Sequence, residues 1–137
     1  MAHTTNQTAE AKLAAILPYS RYAQRLIASE PTLAVDLLKN INNPYYRNEM
    51  QSFLDSHADN IDDETTLHRV LRHLRKRVIL RLAARDLSGL ADLTEIMASM
   101  TDLAETTINF ALKYHENWLM ASARFGQPKG EKCAATQ

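Results

Sequence analysis

A basic helix constrains this chain more than any other feature. Seven Lys and Arg residues lie within positions 69–85, in a segment whose apolar residues recur at helical spacing. At 100° per residue, Arg81 and Arg85 fall on the same side of that helix as Leu74 and Val78. An unpaired guanidinium is very costly to bury. Both arginines therefore need carboxylate partners.

The next part of the chain can supply such partners, because it is acidic and has no Lys or Arg before Lys113. We predict that at least one of Arg81 and Arg85 is largely buried. Its carboxylate partner should come from residues 86–105 or from the early helices. The predicted structural ion-pair residues are Arg81, Arg85, Asp86, Glu95, Asp102 and Glu105.

Composition indicates one soluble domain. The chain has 137 residues, 45% hydrophobic and 23% charged, with Lys plus Arg equal to Asp plus Glu at 16 each. That balance gives no overall attraction to nucleic acid or to a membrane. A single cysteine, Cys133, excludes an internal disulfide and fits a reducing compartment. The amino terminus lacks the pattern of a signal peptide, so we expect a cytoplasmic protein.

The scarcity of glycine predicts an all-α fold, because the three glycines all lie at position 89 or later. We expect an elongated bundle of five or six helices, of which the two carboxy-terminal ones are long. Capping residues and prolines predict the helix bounds. The predicted helices cover about 8–17 and 20–29, Pro31 to Asn42-Asn43, Asn43-Pro44 to Ala58, Asp62-Asp63-Glu64 to Ser88, and Leu93 to Phe125.

The last predicted helix carries an apolar stripe from Leu93 to Phe125 that shorter helices cannot cover completely, so part of it should be exposed. Gly126-Gln-Pro128 is expected to end this helix. The predicted organisation is a helical domain over 1–126, followed by a flexible tail over 127–137.

The residues alone reveal no catalytic, cofactor-binding or metal site. His68 and His73 are five positions apart, whereas ligand pairs on one helix favour three or four. No serine lies in a GxSxG turn. After Arg77, apolar residues such as Val78, Ile79 and Leu80 leave the basic helix almost no polar face, which disfavours nucleic-acid binding.

Three stretches, LHRVLRHLRKRVILRLAARDLSG, LADLTEIMASMTDLAETTINFAL and ARFGQP, resemble the amino-terminal helical region of bifunctional glutamine synthetase adenylyltransferase and adenylyl-removing enzymes. The resemblance covers about 65–128. SRYAQRLIASEP resembles the family's upstream helices more weakly. The residues that match the family's arginine helix and the helix after it are Arg72, Arg75, Arg77, Arg81, Arg85, Asp86 and Leu103-Ala104-Glu105.

The resemblance implies a role in a larger enzyme. That enzyme would transfer or remove an adenylyl group on a tyrosine of glutamine synthetase, under control of a PII-type signalling protein. Its nucleotidyltransferase core would hold magnesium and ATP on a glycine-rich turn and paired carboxylates. This chain has no Asp-x-Asp pair and no glycine-rich strand and turn, so no catalytic role transfers to its residues.

Two functions therefore follow from the sequence. The first is a helical scaffold segment of the adenylyl-removing half, inactive alone, whose partner is the missing core. The second is a free-standing helical interaction module, possibly dimeric, that binds through the stripe of 93–125 or through the basic helix.

Overall fold

The computed structural model describes residues 10–11, 13–15 and 17–135, with side chains as far as Arg124. The described backbone is helical, with no strand, as the sequence predicts. Residues 10–11 and 13–15 are helical, and single 3-10 turns cover Leu17–Tyr19 and Ala58–Asn60. The α-helices that follow are α1 (Arg21–Ser29), α2 (Pro31–Asn40), α3 (Arg47–His57), α4 (Glu64–Leu87) and α5 (Leu93–Ala135).

Side-chain caps begin three of these helices. The Ser20 hydroxyl accepts a hydrogen bond from the Ala23 amide at 3.1 Å, at the start of α1. Asp63 accepts from the Thr66 amide at 2.8 Å, and Asp92 from the Glu95 amide at 2.8 Å. Each cap satisfies an amide that has no partner inside the helix. The predicted starts of α1, α4 and α5 are confirmed.

The connection from α4 to α5 closes on a glycine in the left-handed region. Gly89 has φ +74°, its amide bonds to the Asp86 carbonyl at 3.0 Å, and the Leu90 amide bonds to the Arg85 carbonyl at 2.8 Å. This pair of bonds is a Schellman motif, which favours glycine because a side chain is strained at positive φ. Gly89 therefore ends α4 as predicted.

Two predicted bounds are wrong. The Asn43-Pro44 signal predicts a helix from Pro44, but α3 begins at Arg47 and its N-cap, Tyr46, makes no side-chain cap bond. The intervening Tyr45 is 1% exposed and lies under Arg81, so its packing delays the helix. The second error concerns α5, which continues past Gly126 to Ala135. A glycine or proline inside a helix costs about 1 or 3 kcal/mol but does not forbid it.

The chain divides into two compact units, residues 1–106 and 107–137. In the first unit α4 is the central element, because α1, α2 and α3 all contact it. One core cluster joins the early helices to α4. Its buried members are Leu13, Ala23, Leu26, Leu33, Leu37, Ile41, Leu80 and Ala84.

The start of α5 buries a different face from the predicted apolar stripe. Ser99, Leu103 and Thr106 are buried, whereas Leu93 and Met97 are 70% and 61% exposed. Angular position explains the difference, since the three buried residues lie within about 60° of one another and away from the stripe. The stripe is therefore mainly an exposed apolar face within residues 93–106.

The second unit consists of the later part of α5. Ring contacts run along it, with 5.0 Å between the centroids of Phe110 and Tyr114 and 5.7 Å between those of Tyr114 and Trp118. Ile108 and Leu119 are exposed. The predicted domain boundary at 126 and the flexible tail over 127–137 stay predictions. No helix in the described part of the chain is long and apolar enough to cross a membrane.

Candidate functional site: the arginine face of α4

Three arginines at four-residue intervals, Arg77, Arg81 and Arg85, form what we call the arginine face of α4. Residues four apart on a helix lie one above the other, about 6 Å apart along the axis. This spacing places the three guanidinium groups in a row toward the surrounding helices. The row contacts α2, α3 and the start of α5 through hydrogen-bonded ion pairs.

Arg81 is at the centre of the row and is 1% exposed. Its Nη1 and Nη2 donate to the two carboxylate oxygens of Glu49 at 3.0 and 2.7 Å. Nη2 also lies 3.7 Å from Oδ2 of Asp36, and the guanidinium carbon lies 4.0 Å from the centroid of the Tyr45 ring. Such bidentate, charge-assisted bonds offset the cost of burying the charge. The Nε of Arg81 is buried without a hydrogen-bond partner among the described atoms.

Arg77 lies one turn earlier and is 23% exposed in its side chain. Its Nη2 donates to Oδ1 of Asp36 at 2.9 Å, and its Nε donates to the Tyr45 hydroxyl oxygen at 3.3 Å. Burial lowers the pKa of Arg77, but the Tyr45 bond and the charge of Asp36 outweigh it and raise the pKa above its ordinary value. Arg77 therefore stays charged and joins α2 to α4.

Arg85, at the end of the row, is 5% exposed in its side chain. Nε and Nη2 donate to the two carboxylate oxygens of Glu95, both at 2.8 Å. Nη1 donates to the Ile41 carbonyl at 2.9 Å and Nη2 to the Leu90 carbonyl at 3.2 Å. The Glu95 bond raises the pKa of Arg85. One side chain thus fixes the end of α2, the turn after α4 and the first turn of α5.

The charges of the arginine face are balanced. Three guanidinium groups face three carboxylates, those of Asp36, Glu49 and Glu95. Their oxygens already accept hydrogen bonds from guanidinium groups, which leaves few lone pairs to bind another ligand. The chemistry of the arginine face is therefore structural: it positions helices.

Comparison with known proteins identifies the family. Residues 10–137 match the family model described as glutamate-ammonia ligase adenylyltransferase. The chain belongs to this family. It is 54% identical over 125 residues to a bifunctional glutamine synthetase adenylyltransferase/adenylyl-removing enzyme of Nitrosomonas europaea, and 51% identical over 125 residues to that of Nitrosomonas eutropha. Each match covers 91% of this chain and 14% of the relative.

A less similar member of the family is also much longer than this chain. A bifunctional enzyme of the same description from Aromatoleum aromaticum is 38% identical over 109 residues, which is 80% of this chain and 11% of the relative. The chain thus spans about one seventh of the length of the two Nitrosomonas enzymes. No solved structure matches it.

Within this chain, the structure brings some of the predicted ion-pair residues together and separates others. Arg85 pairs with Glu95, whereas Arg81 pairs with an acid of α3. Asp86 is exposed and makes no ion pair among the residues the structure describes. The remaining two predicted acids, Asp102 and Glu105, both bind the exposed Arg47 of α3, with 2.8 Å between Arg47 Nη2 and Asp102 Oδ1.

Sequence reasoning missed the other half of the arginine face. Asp36, Tyr45 and Glu49 were not named as partners, although the early helices were predicted as a possible source of acids, and Arg77 was not among the predicted ion-pair residues. The available signal was Asp36 itself, an acid inside the apolar run Leu33 to Leu38 of α2. An acid in such a run needs a cation when the helix packs. Nothing in its spacing indicates which arginine that is.

Proposed function

We propose that this chain is a helical scaffold segment, amino-terminal to the nucleotidyltransferase core of an enzyme that adenylylates and deadenylylates a tyrosine of glutamine synthetase. The segment is not catalytic alone. It positions and stabilises the core of the adenylyl-removing half in the cytoplasm. In this proposal, glutamine synthetase and a PII-type regulator are partners of the whole enzyme.

The observation that most strongly supports this proposal is the arginine face of α4. Its three carboxylates, those of Asp36, Glu49 and Glu95, each bind an arginine. A nucleotidyltransferase uses carboxylates to hold metal ions that bridge the phosphates. Carboxylates already neutralised by guanidinium groups do not suit that task, so the residues of the arginine face do not fit magnesium and ATP. In this proposal both bind in the core, outside the chain.

The exposed apolar face of α5 supports contact with that core. Met97 is 61% exposed, and Met100 lines a groove of about 240 Å³ together with Leu82, Ala83 and Ile96. Exposed apolar surface concentrated in one place commonly marks an interaction site. The same face also favours the second candidate function, a free-standing helical module that binds a partner or a second copy through α5.

The first experiment measures release of the adenylyl group from adenylylated glutamine synthetase, with phosphate and magnesium supplied. The 137-residue chain should show no turnover, and the longer family protein that contains it should be active. Metal-dependent turnover by the chain alone would overturn the scaffold proposal, because it would require a catalytic site within these residues.

A pair of variants separates the scaffold from the free-standing module. In the longer protein, Met97→Gln with Met100→Gln should lower adenylyl removal by about tenfold, since each lost apolar contact weakens docking by roughly 1 kcal/mol or more. Ala98→Gln, at an exposed position on another side of the same turn, is the control. Unchanged activity, together with dimers of the isolated chain that Met97→Gln dissociates, would favour the module.

A further inference from the structure

A basic cleft on another side of α4 has no role in the scaffold. It measures about 400 Å³ and is lined by Tyr22 of α1 and by Arg72, Arg75, Lys76 and Ile79 of α4. The α4 residues are spaced at i, i+3, i+4 and i+7, which places them on one side of the helix. The volume lies within the range of small-molecule sites, roughly 300–1,000 Å³.

The cleft carries an uncompensated positive charge. Lys76 Nζ donates to Oε1 of Glu30 at 2.5 Å, so this cation has a carboxylate partner. Arg72 and Arg75 are exposed and make no ion pair with any residue of the described ranges. Three cations and one acid leave a net charge of +2 at the cleft, in contrast to the neutral arginine face.

The charge and the walls of the cleft together indicate a class of ligand. A phosphate monoester carries nearly two negative charges at neutral pH and offers three oxygens, which two guanidinium forks can bind through paired N–H groups. A single carboxylate would match only half of the charge. Tyr22, 46% exposed, and Ile79 add a flat apolar wall beside the cations. Aromatic rings pack well against such a wall.

We propose that this cleft binds a small phosphate monoester bearing a flat ring, of the nucleoside monophosphate type. Arg72 and Arg75 bind the phosphate, Tyr22 and Ile79 contact the ring, and Lys76 supplies a further positive charge while bonded to Glu30. The site lies apart from the arginine face and needs no catalytic core. Its test therefore does not depend on the scaffold proposal.

The 137-residue chain is titrated with AMP at low ionic strength. Binding is measured by calorimetry and by changes in amide chemical shifts. AMP should bind with a dissociation constant of roughly 1 mM or tighter. Its shifts should centre on Tyr22 and on residues 72–79. Adenosine, which lacks the phosphate, should bind at least about tenfold more weakly, because it makes no charge-assisted bonds.

Two double variants, each with two positive charges removed, test which residues bind AMP. Arg72→Gln with Arg75→Gln should weaken AMP binding by about tenfold or more, since both phosphate contacts are lost. Lys39→Gln with Lys113→Gln removes the same charge from exposed positions outside the cleft and should leave binding within about twofold. Circular dichroism confirms that both variants are folded.

Three results would overturn the proposal. The first is an absence of AMP binding at millimolar concentration. The second is an equal loss in both double variants, which would show that only net charge matters. The third is tighter binding of a glutamate-rich peptide than of AMP at the same residues, which would assign the cleft to an acidic protein partner.

Discussion

The two halves of α4 use the same residue type in opposite ways. Arg72 and Arg75, in the first half, are exposed and unpaired within the described ranges, whereas Arg81 and Arg85, in the second half, are buried and bidentate. The two pairs lie on different sides of α4. Acids of α3 and α5 face the side of Arg81 and Arg85, so an arginine becomes part of the core where a neighbouring helix supplies a carboxylate.

The largest expected effect tests this contrast directly. Arg81→Ala leaves Glu49 without its partner and removes a fully buried side chain, and it should lower the free energy of unfolding by about 3 kcal/mol. Glu49 is 38% exposed, so water hydrates part of the stranded charge and keeps the loss from being larger. Urea unfolding followed by circular dichroism measures the change.

Arg72→Ala is the matched control for this measurement. It removes the same side chain from an exposed position of the same helix and should change the unfolding free energy by about 0.5 kcal/mol or less. If both alanine variants lose similar stability, the two halves of α4 do not differ in the way the ion pairs indicate.

A smaller effect is expected at the end of the row. Glu95→Gln keeps the size of the side chain but leaves Arg85 charged with only carbonyl partners, and it should cost about 2 kcal/mol. Amide exchange in the first turn of α5 should become faster, because that turn is fixed through Arg85. Asp86→Asn, at an exposed unpaired acid, should leave both stability and exchange unchanged; a loss there would mean that Asp86 has a role the ion pairs do not explain.

The smallest effect concerns His73, in the first half of α4. Burial lowers the pKa of this imidazole below its ordinary 6.5; the charges of Arg77, His57 and Lys76 act in the same direction, whereas Glu30 opposes them. The unfolded chain therefore takes up the proton first, and the stability associated with neutral His73 declines as pH falls below about 6.5 toward the folded pKa.

His73→Gln should flatten that part of the stability curve. Unfolding free energies of the original chain and the variant, measured between about pH 7.5 and 5.5, provide the difference curve in which this contribution appears. Parallel curves would show that His73 titrates alike in the folded and unfolded chains.

Capping residues and glycine in the sequence predicted the helix ends well where a side chain or turn close in the sequence determines the end. Ser20, Asp63 and Asp92 cap their helices, and Gly89 ends α4, because each acts on amides or carbonyls within a few residues. The Asn43-Pro44 signal predicted the wrong start for α3, because a distant contact outweighs the local signal there. Tyr45 contacts α4 more than thirty residues away, and that contact competes with the local start.

The buried faces of the helices and the ion-pair partners were harder to predict from the sequence than the helix ends. Hydrophobic periodicity predicted that part of the stripe of α5 would be exposed, but it could not reveal that the start of α5 would instead bury Ser99 and Thr106 beside Leu103. The ion pairs of Arg77 and Arg81 span 41 and 32 residues. Charge patterns show that a partner is needed, while tertiary packing decides which acid provides it.

The order of the ion-pair partners along the chain affects synthesis. Asp36, Tyr45 and Glu49 are made before Arg77 and Arg81, and a ribosome releases the chain from its amino end. Until α4 emerges, α1, α2 and α3 lack both the arginines and the apolar residues that complete their core. A nascent chain stalled before residue 81 should therefore remain open to proteolysis, and compaction should occur as the last turns of α4 leave the tunnel.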